Sequence, residues 1–173
     1  MSIIRSPINP ACDFQGIGLK EAIRRAYPTA MEWRKNARLA YAVSTEAGKK
    51  DSGGNKAIDG RQADWNIVFI DEKSGQNLWV AVREGQPEFS REVFMGHTNP
   101  IKSSDLKYDS MSAVAILESQ RHLDRPSKIH FELVNYQSPL LKVYQTNQAA
   151  VTTIAWIDPK KGHLILNSNS AID

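Results

Sequence analysis

Four histidines, one cysteine and two aspartates in matching phrases are the side chains of this 173-residue chain most able to carry chemistry. His97, His122, His130 and His163 are scattered. A zinc site draws its ligands from closely spaced His or Cys pairs, and neither His-Glu-x-x-His nor a cysteine pair occurs. The histidines therefore read as exposed polar side chains. Cys12 lies in a stretch rich in helix breakers with no local sign of thiol activation, and no Gly-x-Ser-x-Gly elbow is present, so nucleophilic catalysis is unsupported. Asp71 and Asp158 sit in Phe69-Ile-Asp-Glu-Lys-Ser-Gly75 and Trp156-Ile-Asp-Pro-Lys-Lys-Gly162, displaced by 87 residues. They could form an acid pair, but each opens a turn, where aspartate accepts hydrogen bonds from nearby backbone N–H groups.

Phosphate-binding loops fare no better. Gly16-Ile-Gly18 has Glu21 at the third glycine position and no strand before it. The Gly- and Lys-rich stretch from Gly48 to Arg61 lacks the Gly-Lys-Ser/Thr ending and reads as a long connection. No cofactor and no metal is implied. What remains is binding chemistry. Trp33, Arg34, Lys35 and Arg38 interleave an aromatic with cations, next to Arg24 and Arg25, and Trp79 is a further candidate contact. Trp65 and Trp156 sit in apolar alternation and are expected in the core. A net charge of +3, with no five-residue basic block, disfavours nucleic acid without removing an anionic ligand from consideration.

These residues need elements to position them. Ala63 to Val82 is the clearest stretch: Trp65, Ile67 and Phe69 alternate with Asn66, Val68 and Ile70, a turn follows over Asp71 to Gly75, and Leu78, Val80 and Val82 resume the alternation. Leu19 to Tyr27 places Leu19, Ala22, Ile23, Ala26 and Tyr27 on one helical face, with Pro28 disrupting the helix or starting a second turn. Residues 32–47 suit either a helix or a strand, and the alternation of Ala37, Leu39, Tyr41 and Val43 favours a strand. Phe89 to Phe94 suggests a further strand. Asp109 is a candidate N-cap for a helix from Ser110 to His122, with Met111, Val114, Ala115 and Leu117 inward. Ile129, Phe131 and Leu133 then form a strand, Leu141 and Val143 suggest another, and Val151 to Ile157 with Leu164 to Leu166 form a second hairpin.

The helix bearing Glu21-Ala22-Ile23 and Ala26, the strand Trp65-Asn-Ile-Val-Phe, the turn Asp71 to Gly75 and Val80-Ala-Val-Arg-Glu-Gly85 resemble the PepSY domain, a cystatin-like module. Ala113-Val-Ala-Ile and Ile154-Ala-Trp-Ile-Asp-Pro-Lys-Lys-Gly162 resemble it a second time, so that the likeness covers about residues 19–168. The resemblance implies an α+β fold of two cystatin/PepSY-like units, each one helix packed on an antiparallel sheet of about four strands. The expected boundaries are an N-terminal arm at 1–18, a first unit at 19–95, a linker at 96–104, a second unit at 105–168 and a tail at 169–173. It also implies a non-enzymatic protein- or peptide-binding module, with a peptidase as the partner to be inhibited or regulated. Binding of an anionic ligand or single-stranded nucleic acid through Arg24, Arg25, Arg34, Lys35, Arg38 and nearby Trp33 is the alternative, with Trp79 a further exposed contact.

No apolar run approaches the length of a membrane span. With Met1 as the native start the expected compartment is the cytoplasm, whereas removal of a signal peptide would make the chain secreted or periplasmic. Both faces of the central hairpin are apolar and one helix covers one face, so the second face must meet the other unit, a second copy in a homodimer, or a partner.

Overall fold

The computed structural model describes residues 15–45, 59–96, 98–120, 122–123, 128–147 and 150–166. Most of the expected arm, most of the Gly48 to Arg61 connection, Cys12, His97 and the tail lie outside them. The chain runs α1 (Leu19–Trp33), β1 (Arg38–Ser44), β2 (Trp65–Ile70), β3 (Asn77–Arg83), β4 (Gln86–Val93), α2 (Ser110–Ser119), β5 (Lys128–Asn135), β6 (Pro139–Asn147), β7 (Ala150–Ile157) and β8 (Leu164–Leu166). All eight strands join one antiparallel sheet in the order β4-β3-β2-β1-β5-β6-β7-β8.

That sheet corrects the expectation of two helix-on-four-strand units. The chain forms a single sheet-rich unit, because β1 and β5 would otherwise each end a small sheet with unpaired backbone groups, and they satisfy one another instead. A single core cluster runs along one face from Phe69 and Trp65 to Phe131, Leu141 and Ile157, and Trp65 stacks on Phe131 with ring centroids 6.2 Å apart. The segment expected as a linker is partly built into this body: Ile101 is buried and its N–H donates to the Leu39 carbonyl at 2.6 Å.

The β1–β5 junction is short in ladder and rich in side-chain bonds. Only Ala42↔Leu133 and Val43↔Glu132 face each other across it. Beyond them the Phe131 N–H donates to Ser44 Oγ at 2.9 Å, and Gln62 Nε2 donates to the Ile129 carbonyl at 2.9 Å, both buried. Gln62 also exchanges two backbone hydrogen bonds with Ile17, whose carbonyl accepts the Trp65 indole N–H as well. At the other end, Asn135 Nδ2 donates to the Pro100 carbonyl.

Both helices are tied at their N-termini. α1 has Gly18 at its N-cap and no capping side chain of its own, and its Leu19 N–H donates to the buried Ser110 Oγ at the start of α2. Asp109 caps α2 by accepting from the Ser112 N–H, as its position before the helix predicts. Close approach makes this junction possible: a Cβ on Gly60 would lie 2.3 Å from the Ser110 carbonyl oxygen. α1 continues through Pro28 because that residue is exposed, so the helix loses one hydrogen bond on its solvent side while Ala26 and Ala30 stay buried. The inward residues of α2 are Ser110, Ala113, Val114 and Leu117, and Met111 and Ala115 face outward.

The repeated phrase marks two matching turns. Asp71 and Asp158 each use their carbonyl to accept from a glycine N–H four residues on, at 2.8 Å in both, and each side chain accepts from backbone N–H groups in the turn. Gly75 and Gly162 take φ of 71° and 73°, where a side chain would be strained. The strands leading into the turns differ in face. Phe69 joins the core cluster and Ile70 faces away, whereas Ile157 joins the core and Trp156 faces away. A one-residue change of register suffices for such a reversal, so the expected core position of Trp156 is not what the sheet adopts.

No element among the described residues covers the face opposite the helices. Ala40, Val68, Ile70, Ala81 and Val134 are nevertheless buried there. Val68 stands between Tyr41 and Trp79 in the ladder, and long side chains of that kind roof the aliphatic ones. Val68→Ser is expected to destabilise the fold by about 1.5–3 kcal/mol in urea unfolding, the worth of one buried aliphatic side chain. Ser44→Ala and Gln62→Ala, which strand the Phe131 N–H and the Ile129 carbonyl, should each cost about 1–3 kcal/mol in the same measurement; losses well below that would show that the junction does not depend on them.

Candidate interaction surface

The residues singled out for binding fall in two places. Trp33, Arg34, Lys35 and Arg38 gather where α1 passes into β1, beside the β2–β3 turn. Their charges are largely engaged: Arg34 lies over the Trp33 ring and 3.7 Å from Asp71, and Arg38 reaches Glu72 at 3.9 Å. Arg24 and Arg25 share Glu21, at 2.6 and 2.7 Å, and hydrogen bonds from these two guanidinium groups hold its carboxyl down at about 2. Asp71 is likewise held low, first by the Ser74 hydroxyl and then by Asn36, the Lys73 N–H and Arg34. Trp33 donates its indole N–H to Glu92 of β4 at 2.7 Å.

Trp79 is elsewhere. It alternates with the core residues Leu78 and Val80, so it lies on the sheet face opposite the helices, away from Trp33. Phe89 meets it edge-on with centroids 5.6 Å apart, and the Arg91 guanidinium lies 4.8 Å from its ring centre. Its indole N–H is enclosed without an acceptor among the described residues. The sequence pattern singles out Trp79 but not Phe89 and Arg91. Their signal was present in the β4 sequence, where an aromatic and a cation two residues apart share one face of a strand.

A second group on that face is not legible in the sequence, because it unites four strands. Glu132 of β5 accepts from the hydroxyls of Tyr41, at 2.9 Å, and Tyr144, and lies 3.4 Å from Lys142 Nζ. Lys142 sits over the rings of Trp156 and Tyr136 and donates to the Tyr136 hydroxyl at 3.0 Å. Burial is the largest influence on Lys142 and would lower its pKa, but the Tyr136 hydrogen bond, the Glu132 charge and the interactions with Tyr144 and Tyr136 jointly outweigh it and leave the ammonium more strongly protonated than usual. Burial first, then Glu132, raises both tyrosines, Tyr144 to about 12 and Tyr41 further. Each of these three groups is thus held more firmly in its resting protonation state, the reverse of what a general base or nucleophile requires.

The edges of the sheet are unequal. β8 has three residues, whereas β4 has eight, nearly all exposed, and no strand lies beyond it among the described residues. Phe89 is 49 % exposed, and just past the strand Phe94 is 95 % exposed. An unpaired row of backbone groups beside a Trp–Phe–Arg cluster has the composition and geometry of a docking edge.

Comparison with protein families, with curated proteins and with solved structures finds no match to this chain. Among the described residues no helix is long and apolar enough to cross a membrane, and no group of three His, Cys, Asp or Glu side chains could hold a metal ion.

The tyrosines give a pH test with a definite sign. Below pH 10.0, the ordinary value, Tyr144 is neutral whether the chain is folded or not, so stability is unaffected. Between that value and about 12 the unfolded chain releases the proton more readily than the folded one, so stability falls as pH rises. Thermal melts should show a steep loss in this window that is shallower in Tyr144→Phe; identical profiles for both proteins would show that the hydroxyl is not held in this network.

Proposed function

We propose that this protein is a non-enzymatic binding module that captures an extended segment of another protein by strand addition at β4. One observation carries the reading: an eight-residue edge strand exposed along nearly its whole length, beside the Trp79–Phe89–Arg91 cluster. Main-chain hydrogen bonds from the incoming strand would provide affinity, and the aromatic–cation cluster would provide a side-chain anchor. The resemblance to PepSY modules makes a peptidase one partner class within this reading. The anionic-ligand alternative draws less support, since Arg24, Arg25, Arg34 and Arg38 each already face a carboxylate.

Selection of displayed linear peptides against the purified chain tests the proposal, with hydrogen–deuterium exchange locating what is selected. Selected peptides are expected to slow exchange of the β4 amides, and Phe89→Asp should weaken them on the order of tenfold or more, as loss of an interface anchor does. Protection confined to the surface around Arg34, Lys35 and Arg38 would overturn the reading, as would selection that yields no binder.

A further inference from the structure

Resting on that edge-strand reading, we infer the chemistry of the segment the edge accepts: a basic, apolar-alternating strand of a different protein, and not a second copy of this chain. Two carboxylates lie along the edge. Glu88 is exposed, and Glu92 holds the neutral indole N–H of Trp33; neither is paired with a cation among the described residues. The strand has one cation, Arg91, and its guanidinium is spread on the Trp79 ring. The edge therefore carries two carboxylates against one guanidinium, a net negative charge that favours lysine or arginine on an incoming strand, because opposite charges facing across a ladder attract and like charges repel. On the open face, Phe89 and Arg91 stand opposite Ala81 and Trp79 and offer the next strand an aromatic surface to cover.

Self-pairing is tested by register. If two copies join their sheets through β4 with the helices on one side, the two-fold axis passes between the two copies of one residue, and that residue faces itself. Centred on Ser90, Glu88 would face Glu92 of the second copy, and the reverse. Centred on Arg91, two arginines would face each other. Centred on Phe89, Glu88 would stand opposite Ser90 and the bulge just before Phe89 interrupts the ladder beyond it, so no charge is matched. None of the central registers pairs opposite charges, and Pro87 contributes no N–H to any of them. The pattern discourages copies from pairing and leaves the edge open to a strand with the complementary charge.

Two acetylated, amidated peptides serve as probes, Val-Lys-Val-Lys-Phe-Lys-Val and its charge-reversed form Val-Glu-Val-Glu-Phe-Glu-Val, titrated calorimetrically with exchange protection read at β4. The lysine peptide is expected to bind on the order of tenfold tighter, since two cross-strand pairs change from repulsion to attraction. Glu88→Lys combined with Glu92→Gln should abolish or reverse the preference, and Glu88→Lys alone, at an exposed position, keeps a folded protein in the test. Equal affinities, or tighter binding of the glutamate peptide, with β4 protected would overturn the charge assignment and leave the edge-strand reading standing. Failure of both peptides to protect β4 would remove that reading and this inference together. A dimer in sedimentation that Phe89→Asp dissociates would assign the edge to a second copy and overturn the proposal.

Discussion

The β1–β5 junction is the constraint on which the rest of this structure depends. β1 is bonded on one side along its whole length to β2, but on the other it meets in turn Ile101, a short ladder with β5, and the Ser44 hydroxyl contact to Phe131. A ladder this short does not hold two four-strand sheets in line by main-chain bonds alone. Buried side-chain donors and acceptors complete it, and each is costly to leave unpaired. The stacking of Trp65 on Phe131 and the tie from Leu19 to Ser110 depend on this alignment, because each joins a residue of one half to a residue of the other.

One continuous sheet with both helices on a single face leaves the opposite face roofed by its own side chains. The aliphatic residues there are buried under Tyr41, Trp79 and their neighbours, and the charged group around Glu132 is internally satisfied. On that face the Trp79 indole N–H stays without an acceptor among the described residues. The two edges differ. β8 presents three described residues, while β4 offers a long row of backbone groups with charges set along it.

Under the strand-addition proposal the sequence needs to carry no catalytic constellation. Strand addition draws on main-chain groups, which any sequence supplies, and on a few anchors whose types are shared with ordinary cores. Trp79 was legible as a candidate, but its setting with Phe89 and Arg91 depends on β4 pairing beside β3 in a specific register.

By itself, the sequence determined the local features. The alternation from Trp65 to Val82, the Asp–Gly turns at 71–75 and 158–162, the Asp109 cap and the inward run Ile129, Phe131, Leu133 each follow from interactions within a few residues, where period and turn chemistry are decisive. Tertiary structure alone decided the rest. The single sheet, the outward turn of Trp156, the passage of α1 through Pro28 and the meeting of Tyr41, Glu132, Lys142 and Tyr144 all depend on which strands become neighbours. That choice is made where β1 and β5 would otherwise each leave an edge unpaired. The free energy of pairing them comes from groups far apart in the chain, Tyr41 and Glu132 being separated by 91 residues, and no local pattern records it.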